Sequence, residues 1–260
     1  MLPSAEPFTR RAFRRLKRMT EPYKKDLAYI HDTGFGDFAR NSATGLLEIL
    51  HETGITGGLV IDLGCGSGIW AAALSRAGYD VLGIDISAAM IEIARNRVPR
   101  ADFRVGSLLK VELPNCVAVT SLGECFNYLF DKSNSISALR RLFHRVYCAL
   151  KPGGLFIFDL AEPGRGKGPQ QKHRAERDWA VLVEVDEDTL TNRLTRRITS
   201  FRKVDDLYVR DEEVHKLQLY KRSEVGKELR EAGFRVRTVR CYGNQPMIAG
   251  CAGFVARKPF

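Results

Sequence analysis

The stretch from Leu59 to Gly68 constrains the fold more than any other part of the chain. A short, mostly apolar run ending at Leu63 opens directly onto Gly64-Cys65-Gly66-Ser67-Gly68, and Ile69-Trp70-Ala71-Ala72-Ala73-Leu74 follows. Such a run reads as a buried parallel strand, and the apolar residues beyond the glycines read as the start of a helix. Alternating glycines let the backbone turn sharply and let a ligand approach main-chain N–H groups. A second apolar run, Val81-Leu82-Gly83-Ile84, ends in Asp85, about twenty residues beyond the first glycine, where a carboxylate can accept both hydroxyls of a ribose. The two strand ends together predict a doubly wound α/β sheet that binds a nucleoside-containing ligand.

The spacing also narrows the ligand. A nicotinamide-binding turn follows G-x-G-x-x-G with an apolar lead-in. Here the order is Asp-x-Gly-x-Gly-x-Gly, with Asp62 inside the strand end. A carboxylate there opposes a pyrophosphate and attracts a ligand with a cationic amino group. Asp62, Gly64, Gly66 and Gly68 form one motif and Asp85 a second. The run from Ser87 to Ala94 and the turn Leu150-Lys151-Pro152-Gly153-Gly154 complete the set. With these pieces in this order, the chain resembles the class I S-adenosylmethionine-dependent methyltransferases over roughly Leu59 to Asp159.

The resemblance implies a Rossmann-like seven-stranded sheet and S-adenosyl-L-methionine as cofactor, with no metal. It implies cofactor contacts from Asp62, Gly64, Cys65, Gly66 and Gly68 at the glycine turn and from Asp85, Ile86 and Met90 beside it. Leu122 and Gly123, at the tip of a fourth strand, belong to the same set. The family often places an aspartate after the glycine that closes the third strand. Ser107 stands there instead, so its hydroxyl and the Leu108 N–H are the expected adenine contacts. Family members of the small-molecule type commonly fold an N-terminal segment over the cofactor and bring a tyrosine to its methionine end. Tyr29 and His31 are the resembling positions.

The rest of the chain divides around that core. Residues 1–57 read as an N-terminal helical segment covering the cofactor site, 58–160 as the cofactor-binding core, and 222–260 as a helix and hairpin that complete the core sheet. Within 161–221 the period changes. Glu162 to Lys172 is rich in Gly, Pro and Lys and reads as a loop. Three extended runs follow, from Trp179, from Leu190 and from Leu207, joined by acidic turns, and they read as an antiparallel β insertion after the fifth strand, placed as a lid. In the third run Glu213, His215, Leu217 and Leu219 share the face expected to be buried. Ser223 is the expected cap of the helix that ends before Gly233.

Composition excludes several classes. No apolar run approaches the ~20 residues of a membrane span, and the first residues lack the apolar centre of a signal peptide. The six cysteines form no C-x-x-C pair, which points to reduced thiols and a cytoplasmic protein. The net charge of +10 leaves nucleic acid open as a partner, and Arg10 to Arg18 is the densest basic stretch. The expected activity is methyl transfer to a small-molecule acceptor by in-line displacement. The alternative is an RNA or protein methyltransferase that uses the basic surface. His31, Glu124 and His215 are the candidates for a general base, with Asn127 and Tyr128 beside Glu124 at the tip of the fourth strand.

Overall fold

The computed structural model describes residues 22–167 and 170–260; the basic stretch around Arg10–Arg18 lies outside them. Two helices lead in, α1 (Lys25–Gly34) and α2 (Asp37–Glu52). Strands and helices then alternate: β1 (Leu59–Leu63), α3 (Ile69–Arg76), β2 (Asp80–Asp85), α4 (Ala88–Arg97), β3 (Asp102–Val105) and β4 (Cys116–Ser121). A 3₁₀ turn at Cys125–Asn127, α5 (Ile136–Ala149) and β5 (Leu150–Ala161) follow. Four long strands come next: β6 (Gln170–Ala175), β7 (Trp179–Asp188), β8 (Arg193–Val204) and β9 (Leu207–Gln218). The chain closes with α6 (Arg222–Glu231), β10 (Arg235–Val239), the short pair β11 (Cys241–Tyr242) and β12 (Gln245–Pro246), and β13 (Cys251–Arg257).

The main sheet has seven strands in the order β10-β13-β5-β4-β1-β2-β3. β1 to β5 are parallel, and β13 runs antiparallel to both β5 and β10. Alternation along each strand feeds two cores. Ile61, Leu63, Phe156 and Phe158 face α5 and α6 through Leu142, Phe143 and Leu229. Val60, Leu155 and Ile157 face α2 and α3 through Leu46, Leu50 and Trp70. Burial on both faces explains why these strands read as continuous apolar runs. The order reverses between β1 and β4, and in such sheets the crevice outside the strand ends at that point takes the ligand.

A second sheet, β6-β7-β8-β9, is antiparallel throughout. Its inner face carries Trp179, Val181 and Ile198 against Leu27 and Ile30 of α1. Leu194 and Leu217 pack on Leu219 and on Ala161 at the end of β5. This sheet therefore stands over the carboxyl ends of the main sheet. Glu213, His215, Leu217 and Leu219 are all buried, on the shared face that alternation predicts.

The structure corrects two details. The stretch expected to be loop up to Lys172 gives way at Gln170 to β6, a fourth strand of the insertion. Its side chains are almost all exposed and polar, so it carries no apolar periodicity to find. Ser223 does not cap α6. The helix starts two residues earlier than that cap implies, at Arg222 behind Lys221, with no side-chain cap.

Candidate active site

Asp62, the penultimate residue of β1, is buried at 2% exposure. Its one side-chain donor is the Thr120 hydroxyl of β4, at 2.9 Å, which the Trp70 indole N–H holds in turn. Burial, with no cation beside it among the described residues, pushes the Asp62 carboxyl up to about 7. The glycine turn follows. Gly64 and Gly66 have φ of +75° and +52°, a region open to glycine at little cost. Gly66 donates its N–H to Asp85 at 2.9 Å, and Ser87 donates to the other Asp85 oxygen at 2.8 Å. Burial raises the Asp85 carboxyl, and these N–H groups oppose it. Ser87 also caps α4 by accepting from Met90 N.

Two cavities meet at these strand ends. The smaller, about 150 Å³, is lined by Asp85, Ile86, Met90, Ser107, Leu108 and Asp131 among others. The larger, about 480 Å³, runs from Asp62 and Cys65 across to the inner face of the second sheet. Tyr23, His31, Leu122, Gly123 and Tyr128, with Gly64 and Gly66, line both. A Cβ added at Gly66, Gly106 or Gly123 would meet no atom within 4 Å. Each of these three lines the cavities, so a Cβ there would occupy space a ligand can use.

Several side chains take places the sequence does not reveal. Tyr29 faces neither cavity; its hydroxyl bonds Asp178 at 2.7 Å and its ring lies under the Arg202 guanidinium. Leu27 and His31 of α1, with Phe35 just past its end, line the larger cavity, and position 29 is about 200° around the helix from position 27. Tyr23 stands at the junction in its stead. The Ser107 hydroxyl donates to Asp131 at 2.6 Å and accepts the Leu109 N–H, and Asp131 brings a carboxylate into the smaller cavity. Burial would raise Asp131, but the bonds from Ser107 and Ser133 and the Lys110 ammonium hold it well below the usual range. Gly68 lines neither cavity. It precedes α3 at φ +77°, with Ala94 3.0 Å from where its Cβ would be, so it lets α3 and α4 approach.

The three candidate bases differ in surroundings. The His31 ring makes no hydrogen bond to the described residues, and burial pushes it down to about 4, so it is neutral at pH 7. His215 is 1% exposed and shares its Nε2 with Glu213 at 2.8 Å. Glu213 also accepts the N–H groups of Tyr23 and Lys24. A carboxylate on Nε2 leaves the lone pair on Nδ1, and Nδ1 is buried with no partner. Glu124 is no base. Burial alone would raise it, but Arg196 and Arg165, at 2.6 and 2.5 Å, hold its carboxyl down at about 2. It occupies the left-handed region at φ +63°, fixed there because Asp159 accepts the N–H groups of Gly123 and Glu124. Asn127 is structural, bonded to Ala161 and Gln218. The Tyr128 hydroxyl lies 3.2 Å from that of Tyr23 and accepts from Arg196.

Residues 60–154 match the model of the methyltransferase domain family. A Geobacillus sp. (strain WCH70) protein, named only as a methyltransferase, is 28% identical over 68% of this chain and 74% of its own length. Over residues 60–154 the chain thus carries a methyltransferase domain of the class I S-adenosylmethionine-dependent kind. A ubiquinone biosynthesis O-methyltransferase of Alkalilimnicola ehrlichii is 32% identical over 40% of this chain, and the match spans 42% of that relative. A solved S-adenosylmethionine-dependent methyltransferase from Clostridium acetobutylicum shares the fold, with a TM-score of 0.77, 19% identity and coverage of 90% and 98% of the two chains.

The residues present fit S-adenosylmethionine. Asp62 is a buried carboxylate with no cation of its own, Asp85 a carboxylate at a strand tip, and the glycines leave the room. Among the described residues no three His, Cys, Asp or Glu side chains gather as a metal site, and no helix is long and apolar enough to cross a membrane.

Proposed function

We propose that this methyltransferase acts in the cytoplasm on a small-molecule acceptor bound in the larger cavity, and that Tyr23, His31, Leu122, Gly123 and Tyr128 surround the point of transfer. The observation that carries this reading is the shared wall. The two cavities share a few residues, from the strand tips and from Tyr23 and His31 at the first helix, and an in-line displacement needs donor and acceptor to meet at such a point. The relative named for ubiquinone biosynthesis supports a small acceptor. All six cysteines are unpaired, in keeping with a reducing compartment.

The cofactor, when bound, supplies an activated methyl group on a sulfonium. In our reading Asp62 receives its amino group, Asp85 its ribose hydroxyls and Asp131 its adenine amine, while Ile86 and Met90 flank the base. His31, being neutral, places no like charge near a sulfonium. The acceptor's proton passes to Nδ1 of His215, whose imidazolium Glu213 then stabilises across Nε2. The hydroxyl pair of Tyr23 and Tyr128 orients the accepting atom.

The test is calorimetry with S-adenosylmethionine and its demethylated product, followed by a panel of small acceptors with labelled methyl donor. One-site cofactor binding and label transfer to a small molecule are expected. Binding of NAD in place of both, or transfer to RNA or protein alone, would overturn the reading.

A further inference from the structure

Beside the junction lies an ion cluster in which a single carboxylate is shared by two guanidiniums. Glu124 is 4% exposed at its side chain and bridges two guanidiniums, Arg165 at 17% and Arg196 at 16%. One carboxylate faces two permanent cations, since arginine keeps its proton. Two further acids, Asp159 and Glu187, add negative charge nearby, but neither reaches a guanidinium to pair with it. Asp159 spends its oxygens on the N–H groups of Gly123 and Glu124. Glu187 spends its own on the N–H groups of Gly164 and Gly166. Neither forms an ion pair among the described residues. Tyr128 accepts from Arg196 as a neutral hydroxyl, and Cys251 donates to Glu124 at 3.1 Å.

Donors are left over. Arg165 uses Nε for Glu124, and its two terminal nitrogens bond none of the described residues. The turn that carries it is pinned on both sides by Glu187, so its position is built rather than incidental. Both arginines line the larger cavity. So does Lys172 of β6, which has no ion pair among the described residues. Arg174 beside it is already committed to Glu176 and to the Gly34 carbonyl. The rest of the wall is largely apolar, with Val181, Val183, Leu194 and Ile198. A sheltered positive charge without a partner is costly, and an anionic ligand would remove that cost. Guanidinium forks bind carboxylate and phosphate oxygens in pairs.

We propose that the acceptor of this enzyme carries an anionic group, a carboxylate or a phosphate, on an apolar body, and that Arg165 and Arg196 receive that group. This rests on the larger cavity being the acceptor site. The anion docks beside Glu124, with the accepting atom turned toward Tyr23, His215 and the shared wall. Glu124 sets the two guanidiniums at a fixed spacing, and their remaining N–H groups point to the ligand.

The cofactor has a carboxylate too, so the experiment separates the two sources. The protein is saturated with the demethylated cofactor and titrated calorimetrically with 1-naphthylacetate, 1-naphthyl phosphate and the neutral 1-naphthylacetamide. At least one anion is expected to bind ten or more times tighter than the amide. Arg165→Gln should bring anion and amide within twofold of each other, while Arg165→Lys keeps part of the preference and both variants bind the cofactor within twofold of the parent. Equal binding of the amide and both anions overturns the proposal. So does an anion preference that survives Arg165→Gln, or a tenfold loss of cofactor affinity in both variants with anion preference intact. Methyl transfer to a neutral acceptor, with no anion preference, would remove this inference and leave the proposed function standing.

Discussion

The rim of the main sheet and the inner face of the second sheet meet across one cavity, yet they are built by different means. On the rim the ligand-facing surface is backbone. Gly64, Gly66 and Gly123 carry positive φ, and carboxylates are held by N–H groups, as Asp85 is by Gly66 and Ser87. On the second sheet the surface is side chains that meet across strands: Arg196 stands opposite His215, and Ile198 opposite Glu213. A backbone site demands particular residues at fixed spacing. A side-chain site demands only that something suitable face inward. The first kind is suited to a ligand that never changes, the second to one that differs between relatives.

That contrast can be broken by substitution. The largest effect is expected at Gly66, at φ +52° with open ligand space where its Cβ would be. A β-branched residue there is strained by about 1–3 kcal/mol. Its methyls also enter the cradle, so Gly66→Val should raise the cofactor Kd at least about 100-fold, or ~2.7 kcal/mol. Calorimetry on folded protein measures this. Asp85→Ala comes next. It removes a charged acceptor and orphans the N–H groups of Gly66 and Ser87, so cofactor affinity should fall by about 1.5–3 kcal/mol, and the melting temperature should fall with it. A folded Asp85→Ala protein that binds like the parent would show that the rim does not hold the ribose.

On the opposite wall the readouts should separate. His215→Asn keeps a polar group at a buried position and removes the base. Turnover is expected to fall about 10²-fold, with cofactor affinity within about twofold. The rate should recover as pH rises and the acceptor loses its proton unaided. A cofactor affinity that falls in step with turnover would erase the distinction between the two walls.

The same contrast explains what the chain reveals before folding. β1, β2, β4 and β5 are legible because burial on both faces makes them apolar runs, and the glycine turn is legible because each φ there excludes most side chains. Tyr23 escapes notice. It precedes α1, outside any periodicity, and sits at φ +49° to reach the junction, whereas Tyr29 lies on the helix but on the wrong side. Asp131 is hidden by distance along the chain, 24 residues beyond Ser107. β6 is hidden because an exposed edge strand of Gln, Lys, His and Arg has no period. Arg165 and Arg196 come from a turn and a strand that the chain brings to Glu124 only in three dimensions. His215 was within reach because alternation along one strand suffices to bury it.

The smallest expected effect is a pH dependence that belongs to the rim alone. Asp62 is raised to about 7 chiefly by burial and further by the charge of Asp85, against the pull of the Thr120 hydroxyl. An unfolded aspartate titrates near ~3.9. Between about pH 4 and 7 the ligand-free folded protein therefore holds a proton the unfolded chain has lost, and stability falls as pH rises through that window. Cofactor binding should run the other way, because only the ionised carboxylate attracts an amino group. The ionised fraction of a group at 7 grows from about 0.1 to about 0.9 between pH 6 and 8, so affinity should rise about tenfold, levelling off where an α-amino group loses its own proton near ~8. Asp159 also titrates at about 7, but it is bonded to the backbone of Gly123 and Glu124. Asp62→Asn therefore separates the two: it should bind the cofactor weakly with a flat profile from pH 6 to 8, while the parent slopes. A parent whose cofactor affinity is the same at pH 6 and pH 8 would mean that Asp62 is already ionised without the ligand, and that the cation it awaits is not the cofactor's.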